Sequence, residues 1–205
     1  MRSLPLALLL SLLLAGCPRQ LERDSGPPEE DSGFDPGNGF EGPIVLDDAR
    51  VRGLDPTRLR AAAVPCREPV LVRVYRVVDG DTIDVRGEDV VLDVPVRILG
   101  VDTPEIAHAP EPADCYGDEA HDFTAQLEGR LVWLTFDNTC WDSFDRLLAY
   151  VHVGPGDGDL WERQLLRRGF ATVLTVGGNR TYASMFELDE ASAAMAGAGL
   201  WSACF

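Results

Sequence analysis

Asp79-Gly80-Asp81-Thr82 and Val101-Asp102-Thr103-Pro104-Glu105 place three carboxylates, Asp81, Asp102 and Glu105, at two polar breaks between apolar runs. Either motif alone reads as a turn. Asp-Gly is a frequent hairpin signal, and Pro104 suits a strand that ends in a polar loop. Together, with no cysteine beside them, they form an oxygen-only ligand set of the kind Ca2+ or Mg2+ takes. Carboxylates so grouped repel one another, and a divalent ion resolves that repulsion. Arg97, and Arg146 behind Asp142-Ser143-Phe144-Asp145, add two permanently charged planar donors. A metal with two arginines suits a phosphodiester, because attack by water builds negative charge on the phosphoryl oxygens. The competing reading of each arginine is a surface ion pair, Arg97 with Asp93 and Arg146 with Asp145.

Such residues need strand ends to bring them together. Val70 to Val78 is β-branched and apolar, a first strand turning at Asp79-Gly80 into a second. Val90, Leu92, Val94, Val96 and Ile98 alternate with Asp93, Pro95 and Arg97, the period of a half-buried strand with Arg97 on its polar face. Leu131 to Phe136 and Arg146 to Val153 are two further strands. Tyr116 to Glu128 reads as a helix whose Ala120, Phe123 and Leu127 share one side. Asp159 is placed to cap a second helix ending before Gly169, and Met185, Leu188, Ser192 and Met195 follow helical spacing in a third. The expected fold is α+β, a five-stranded OB-fold-type β-barrel with about three helices rather than a parallel sheet.

With these motifs in order, the chain resembles the staphylococcal nuclease (thermonuclease) family. The matching pieces are Asp79 to Ile83, Arg97 to Glu105, Tyr116 to Ala120 with Phe123-Thr124, Asp142 to Tyr150, and Leu200-Trp201-Ser202. They cover nearly the whole span from Glu68 to Ser202. The resemblance implies that Asp81, Asp102 and the backbone carbonyl of Thr103 ligate Ca2+. It implies that Glu105 acts as general base or positions the attacking water, and that Arg97 and Arg146 bind the phosphate. The implied activity is a Ca2+-dependent endonuclease hydrolysing DNA or RNA to 3′-phosphorylated products, with nucleic acid as partner and a monomer as the working unit. The alternative is a non-catalytic OB-type nucleic-acid-binding or interaction module, which has no need of Glu105 beside the metal carboxylates. The chain departs from the family at Ser143-Phe144-Asp145, where a basic residue, Tyr and Gly are usual, and over Ala171 to Gly177, which lacks the family's base-flanking tyrosines. Substrate binding is therefore expected to be loose, salt-sensitive and reliant on Ca2+.

Composition bounds the partners. Net charge is −16, and all 18 basic residues are arginine. Tight nonspecific nucleic-acid binding normally needs a basic surface, so the acidic balance counts against a DNA coat or transcription factor but not against an enzyme gripping one or two phosphates. His108, His121 and His152 pair with no nucleophile or ligand in the sequence and read as surface or core residues.

At the N-terminus, Arg2 and the apolar run Leu4 to Leu14 form a secretion signal too short to span a bilayer. Leu14-Ala15-Gly16-Cys17 resembles the lipobox of bacterial lipoproteins, which makes residues 1–16 a signal peptide and Cys17 a lipidated first residue. The expected location is the bacterial cell envelope, by lipid anchor. Residues 17–43 are rich in Gly, Pro, Asp and Glu, an acidic disordered tether. Residues 44–65 are an N-terminal extension, with Asp55-Pro56 opening a short helix, and 66–205 is the nuclease-like domain. Cys66, Cys115, Cys140 and Cys204 remain, an even number suited to two disulfides in an oxidising compartment, with three possible connectivities. Aligned on the family motifs, Cys115 and Cys140 both flank active-site loops, which implies a Cys115–Cys140 bridge and a Cys66–Cys204 tie between the domain ends.

Overall fold

β1 (Val70–Asp79) pairs with β2 (Thr82–Gly87) in an antiparallel hairpin whose tip is the Asp79-Gly80-Asp81 turn. The computed structural model describes residues 44–108 and 110–205; the expected signal, lipobox and tether lie outside the described residues. β2 continues antiparallel to β3 (Asp93–Ile98), β5 (Leu131–Thr135) to β6 (Leu147–His152), and β5 returns to β1. β3 and β6 pair in parallel and close a five-stranded barrel in the order β1-β2-β3-β6-β5. A separate two-stranded ladder joins β4 (Gly100–Asp102) to β7 (Thr172–Leu174). The architecture is the expected OB-type α+β fold.

The barrel fills with the alternating residues that the sequence marks as apolar. Val72, Val74, Ile83, Val85, Val96, Ile98, Val132, Leu134, Leu147 and Ala149 are all fully buried. Each large aliphatic side chain so buried contributes about 1.5–3 kcal/mol. β3 starts at Asp93, three residues later than the alternation suggests, and Val90 and Val91 lie exposed in the hairpin loop. The ladder to β2 begins at Asp93 opposite Arg86, so alternation upstream of it has no partner strand to enforce it.

Helices cover one end. α2 (Gly117–Thr124) and α3 (Trp161–Arg167) meet through stacked rings, Phe123 on Trp161 and on Phe170. Asp159 does not cap α3; its Oδ2 accepts from Gly156 N in a preceding 3-10 turn, and Leu160 occupies the cap position. α4 (Ala183–Ala196) is the third long helix, but its buried face is Phe186, Asp189 and Ala193, with Leu188 and Met195 exposed. Two interactions turn it that way: Phe186 stacks on Tyr182, and Asp189 accepts from both Arg163 and Arg167. A buried, doubly paired carboxylate outweighs two exposed apolar side chains.

The 44–65 segment packs on the barrel. It carries α1 (Asp48–Arg52), capped by Asp47, whose Val51 joins Leu71 and Leu131 in a second small core and accepts a bond from Trp133 Nε1 on its carbonyl. Asp55 caps a 3-10 turn, Pro56–Arg58, as its sequence suggests. The bridges are Cys66–Cys140 and Cys115–Cys204. This corrects the expected Cys115–Cys140 and Cys66–Cys204 pairing. Cys66 enters beside the end of β5, where its N–H donates to Asp137 O, and that seat adjoins Cys140. The short α5 (Leu200–Ala203) carries Cys204 to the loop that leads into α2, and Cys115 Sγ also approaches Ala203 O there.

Candidate active site

The hairpin turn at Gly80 and the strand end at Thr103 meet closely. A Cβ at Gly80 would lie 2.7 Å from the Thr103 side chain, so glycine permits the contact that joins the two motifs. Thr103 N donates to Asp81 Oδ2 (3.0 Å) across it. Thr124 of α2 donates to the Gly80 carbonyl (2.7 Å) and also accepts from Trp161 Nε1, which ties the turn to the aromatic core. The loop bearing Glu105 is fixed in a similar way. Its carbonyl accepts from Asp114 N, and Gly117 brings the start of α2 so close that a Cβ would meet Glu105 O at 2.1 Å.

Arg97 lies at the centre of this arrangement. Its alternation on β3 does point it away from Val96 and Ile98, yet it is only 5% exposed. Nη1 donates to the carbonyls of Ile98 (2.6 Å) and Val101 (2.7 Å), and Nη2 lies 2.9 Å from both Asp81 Oδ2 and Asp102 Oδ1. The surface pair with Asp93 is not made; Asp93 pairs with Arg86. Burial pushes the Asp81 carboxyl up to about 7; Arg97 opposes that rise, and neighbouring Asp79 reinforces it.

Arg146 immediately precedes β6 and is held by Asp142, not Asp145. Asp142 Oδ2 accepts from Arg146 Nε (2.7 Å), and Oδ1 from the N–H groups of Phe144 (2.8 Å) and Arg146 (3.0 Å). Burial alone would raise the Asp142 carboxyl; these donors hold it below its ordinary value. Arg146 Nη1 reaches Thr82 Oγ1 at 3.3 Å, which links the second arginine to the Asp81 turn.

Glu105 stands further out. Its side chain is 64% exposed, with His108 Nε2 at 4.0 Å. Partial burial raises its carboxyl, Asp79 raises it further, and His108 lowers it. Asp81, Asp102 and Glu105 thus share one field without forming a three-carboxylate cage. Among the described residues, no three His, Cys, Asp or Glu side chains converge tightly enough to hold an ion. The reason is local: Glu105 sits on an exposed loop, and Arg97 spans the gap between the other two. What remains is Asp81, Asp102 and the Thr103 carbonyl. This set fits a hard divalent cation by donor chemistry, since it is all oxygen and holds a buried carboxylate whose negative form burial disfavours.

Sequence reasoning brought out Asp81, Arg97, Asp102, Thr103, Glu105 and Arg146, and the fold gathers them at one end of the barrel. It missed the parts of Asp142, Thr82 and Thr124. Asp142 was legible, since an Asp followed by turn residues commonly bonds backbone N–H groups two positions on. Thr82 and Thr124 act only across the fold. His121 is half-buried beside Asp122, and His152 is buried with Nε2 bonded to Thr135 Oγ1, so neither belongs to the site.

Fold and site define a small OB-type barrel that carries a carboxylate–arginine cluster where β1, β2, β3, β4 and β6 converge. The family model described as staphylococcal nuclease homologue matches residues 95–203. The chain is 34% identical over 131 residues to the thermonuclease of Staphylococcus hyicus, covering 63% of this chain and 75% of that protein. It is equally 34% identical over 131 residues to the thermonuclease of Staphylococcus intermedius, covering 62% and 74%. A probable endonuclease from Arthroderma otae is 32% identical over 121 residues, covering 54% of this chain and 41% of that protein. The chain belongs to the staphylococcal nuclease family. Asp81 precedes the span matched by the family model and is joined to it by Arg97.

Proposed function

We propose that the chain is a Ca2+-dependent nuclease that hydrolyses DNA or RNA phosphodiesters and leaves 3′-phosphorylated products. The observation that carries this is the shared grip of Arg97 on Asp81 and Asp102, with Arg146 tied to the adjacent Thr82. Asp81, Asp102 and the Thr103 carbonyl would hold the ion, which when bound supplies Lewis-acid charge for the phosphate. Glu105 takes the proton of the attacking water, or orients that water for attack. The water oxygen bonds to phosphorus, the bond to the 5′-oxygen breaks, and that oxygen leaves and takes a proton from solvent. Arg97 and Arg146 donate to the phosphoryl oxygens as their charge grows, a term worth about 2.7–4 kcal/mol per well-placed donor. The relatives named thermonuclease and probable endonuclease support the same chemistry here.

Cys17 anchors the protein by lipid in the cell envelope, where it works as a monomer on nucleic acid outside the cytoplasm; the chain's two disulfides suit that compartment. One observation favours the second reading, a non-catalytic binding module: Arg97 is buried and its Nη donors are engaged by protein acceptors. A single assay separates the two. Single-stranded DNA is incubated with the purified protein in Ca2+ or in chelator, beside Glu105→Gln and Arg97→Ala. Cleavage that needs Ca2+ and falls at least about a hundredfold in both variants is expected. No cleavage, or equal rates in the variants, rejects the enzyme reading, and cleavage that persists in chelator rejects its Ca2+ dependence.

A further inference from the structure

Arginines in this molecule are mostly held by carboxylates, as Arg52, Arg73, Arg86, Arg163 and Arg167 are. Arg180, exposed in the loop before α4, lies within ion-pair distance of no Asp or Glu among the described residues. A single exposed arginine is ordinary, and its surroundings decide whether it has a use. Arg180 lines an open cavity of about 470 Å3 with Ala62, Val64, Asp137, Asn138 and Thr181. Asn138 is exposed as well, and among the described residues its side-chain amide makes no bond. Asp137, the carboxylate in the wall, is only 3% exposed and already engaged. Its Oδ1 accepts from Asn138 N (2.8 Å), and its Oδ2 from Tyr150 OH (3.0 Å) and Thr181 N (2.9 Å). The cavity therefore offers a ligand a guanidinium and an amide, while its negative group is spent on the fold. Arg67, whose guanidinium carbon lies 5.3 Å from the Phe136 ring centroid, adds a second cation beside the same strand end.

The cavity is fastened to the stretch that leads to the active site. Thr139 N donates to Asn179 Oδ1 (3.0 Å), Asn179 Nδ2 to Thr139 O (3.1 Å), and Thr139 Oγ1 to Gly177 O (3.2 Å). These bonds hold the loop bearing Arg180 against the chain that runs on from Asn138 to Arg146. Asn138 and Arg146 are eight residues apart, at most about 28 Å of extended chain. A nucleic-acid strand carries a phosphate about every 3.4 Å of helix axis, so about eight nucleotides or fewer cover that distance. We propose that Arg180 and Asn138, with Arg67 beside them, bind a backbone phosphate of the substrate strand several nucleotides away from the phosphate being cleaved. This rests on the nuclease reading for its ligand. A guanidinium fork and an amide match phosphate oxygens, and Ala62 and Val64 present an apolar wall to the adjoining sugar. The contact is to backbone and so is blind to sequence. It gives a chain of −16 net charge a local positive seat that a long substrate reaches and a short one does not.

The test is calorimetric titration in Ca2+, over a range of salt, with a phosphorothioate-linked thymidine dodecanucleotide and with the corresponding dinucleotide. For the dodecamer, Arg180→Ala is expected to raise Kd about fivefold or more. It should also lower the slope of log Kd against log salt by about 0.7, the share of one phosphate contact on a single strand. Arg180→Lys keeps the charge and should keep that slope. The dinucleotide is expected to bind wild type and Arg180→Ala equally. Arg130→Ala removes an arginine at the opposite end of β5 and should leave both affinities near wild type. An unchanged dodecamer Kd in Arg180→Ala, an equal loss on both ligands, an equal loss in Arg130→Ala, or no wild-type binding would overturn the subsite. Thermal unfolding accompanies the titration, and an exposed side chain predicts a Tm close to wild type. Cleavage is scored separately: a protein that shows the length-dependent loss but hydrolyses nothing keeps the subsite and loses the nuclease reading, and a protein that cleaves with no Arg180 effect does the reverse.

Discussion

Asp142 Oδ2 accepts from Arg146 Nε at 2.7 Å, and the bond crosses a turn that the same carboxylate closes by accepting two backbone N–H groups. Asp142 thus sets the aim of the arginine proposed to bind the phosphate. Asp142→Ala should lower kcat about tenfold or more by releasing Arg146, and should cost about 1–3 kcal/mol of stability through the unpaired turn donors. Asp142→Asn keeps an acceptor for the backbone and should recover most of the stability but less of the rate. Rate and urea midpoint, measured on both variants, check the split. Parallel recovery of the two would mean that Asp142 only shapes the turn.

Arg97 compensates two carboxylates, one of them buried. Its removal leaves Asp81 without its partner, and breaking one half of a buried pair typically costs about 3–5 kcal/mol. Arg97→Ala should therefore unfold at much lower denaturant. If Asp81 and Asp102 hold Ca2+ as proposed, the added ion should restore more stability to this variant than to wild type, because ion and guanidinium would then serve the same two carboxylates. Denaturant curves with Ca2+ and with chelator measure the difference, and equal stabilisation of both proteins would contradict it.

Glu162 of α3 is fully buried, with Oε1 accepting from Val151 N and Oε2 unpartnered among the described residues. Burial pushes its carboxyl up to about 8, against an ordinary value of 4.5. The folded form thus holds a proton that the unfolded chain has released between those values, so stability must fall as pH rises through that window. Buried His152, lowered to about 4 by burial, has the opposite sign: its unfolded form takes up a proton below 6.5, so stability falls as pH drops from 6.5 towards 4. The two oppose each other at acid pH, and Glu162 acts unopposed by His152 from 6.5 to 8, where its share is about 2 kcal/mol. Glu162→Gln, compared with wild type across that range, should flatten the decline by this amount. Identical pH slopes would refute the assignment.

Cys115–Cys204 pins α5 to the loop between Glu105 and α2, whereas Cys66–Cys140 pins the N-terminal extension to the strand end after β5. Loss of either bridge should cost about 2–5 kcal/mol, since both close long loops. Only the Cys115–Cys204 pair adjoins Glu105 in the cavity that Asp102, Thr103, Glu105 and Asp114 line with it. Cys115→Ala/Cys204→Ala should therefore lower kcat at temperatures where the protein is still folded, and Cys66→Ala/Cys140→Ala should leave kcat near wild type. Steady-state rates on the two double variants, taken well below each Tm, decide it.

Much of this molecule was determined by residue order. The alternating valines and leucines define barrel strands because an apolar face of period two has only one stable place, inside; the Asp-Gly turn and the Asp102–Glu105 loop follow from local chemistry. Family motifs carry the six proposed site residues in sequence. Tertiary structure alone decided how those residues bear on one another. Arg97 sits on the polar side of β3, as its alternation says, but becomes buried because β4 and the Asp81 turn close over it, which no local pattern encodes. Asp142 rather than Asp145 holds Arg146 because the turn, not sequence distance, sets the geometry. α4 faced inward through Asp189 because two arginines of α3 wait there, and that pairing exists only once the helices pack. The cysteine pairing is the plainest case: four thiols permit three connectivities, and only the seats of Cys66 beside β5 and of α5 beside Cys115 select one. A sequence specifies which groups repeat and which turns are cheap; which charge meets which is set by distances that only the closed barrel fixes.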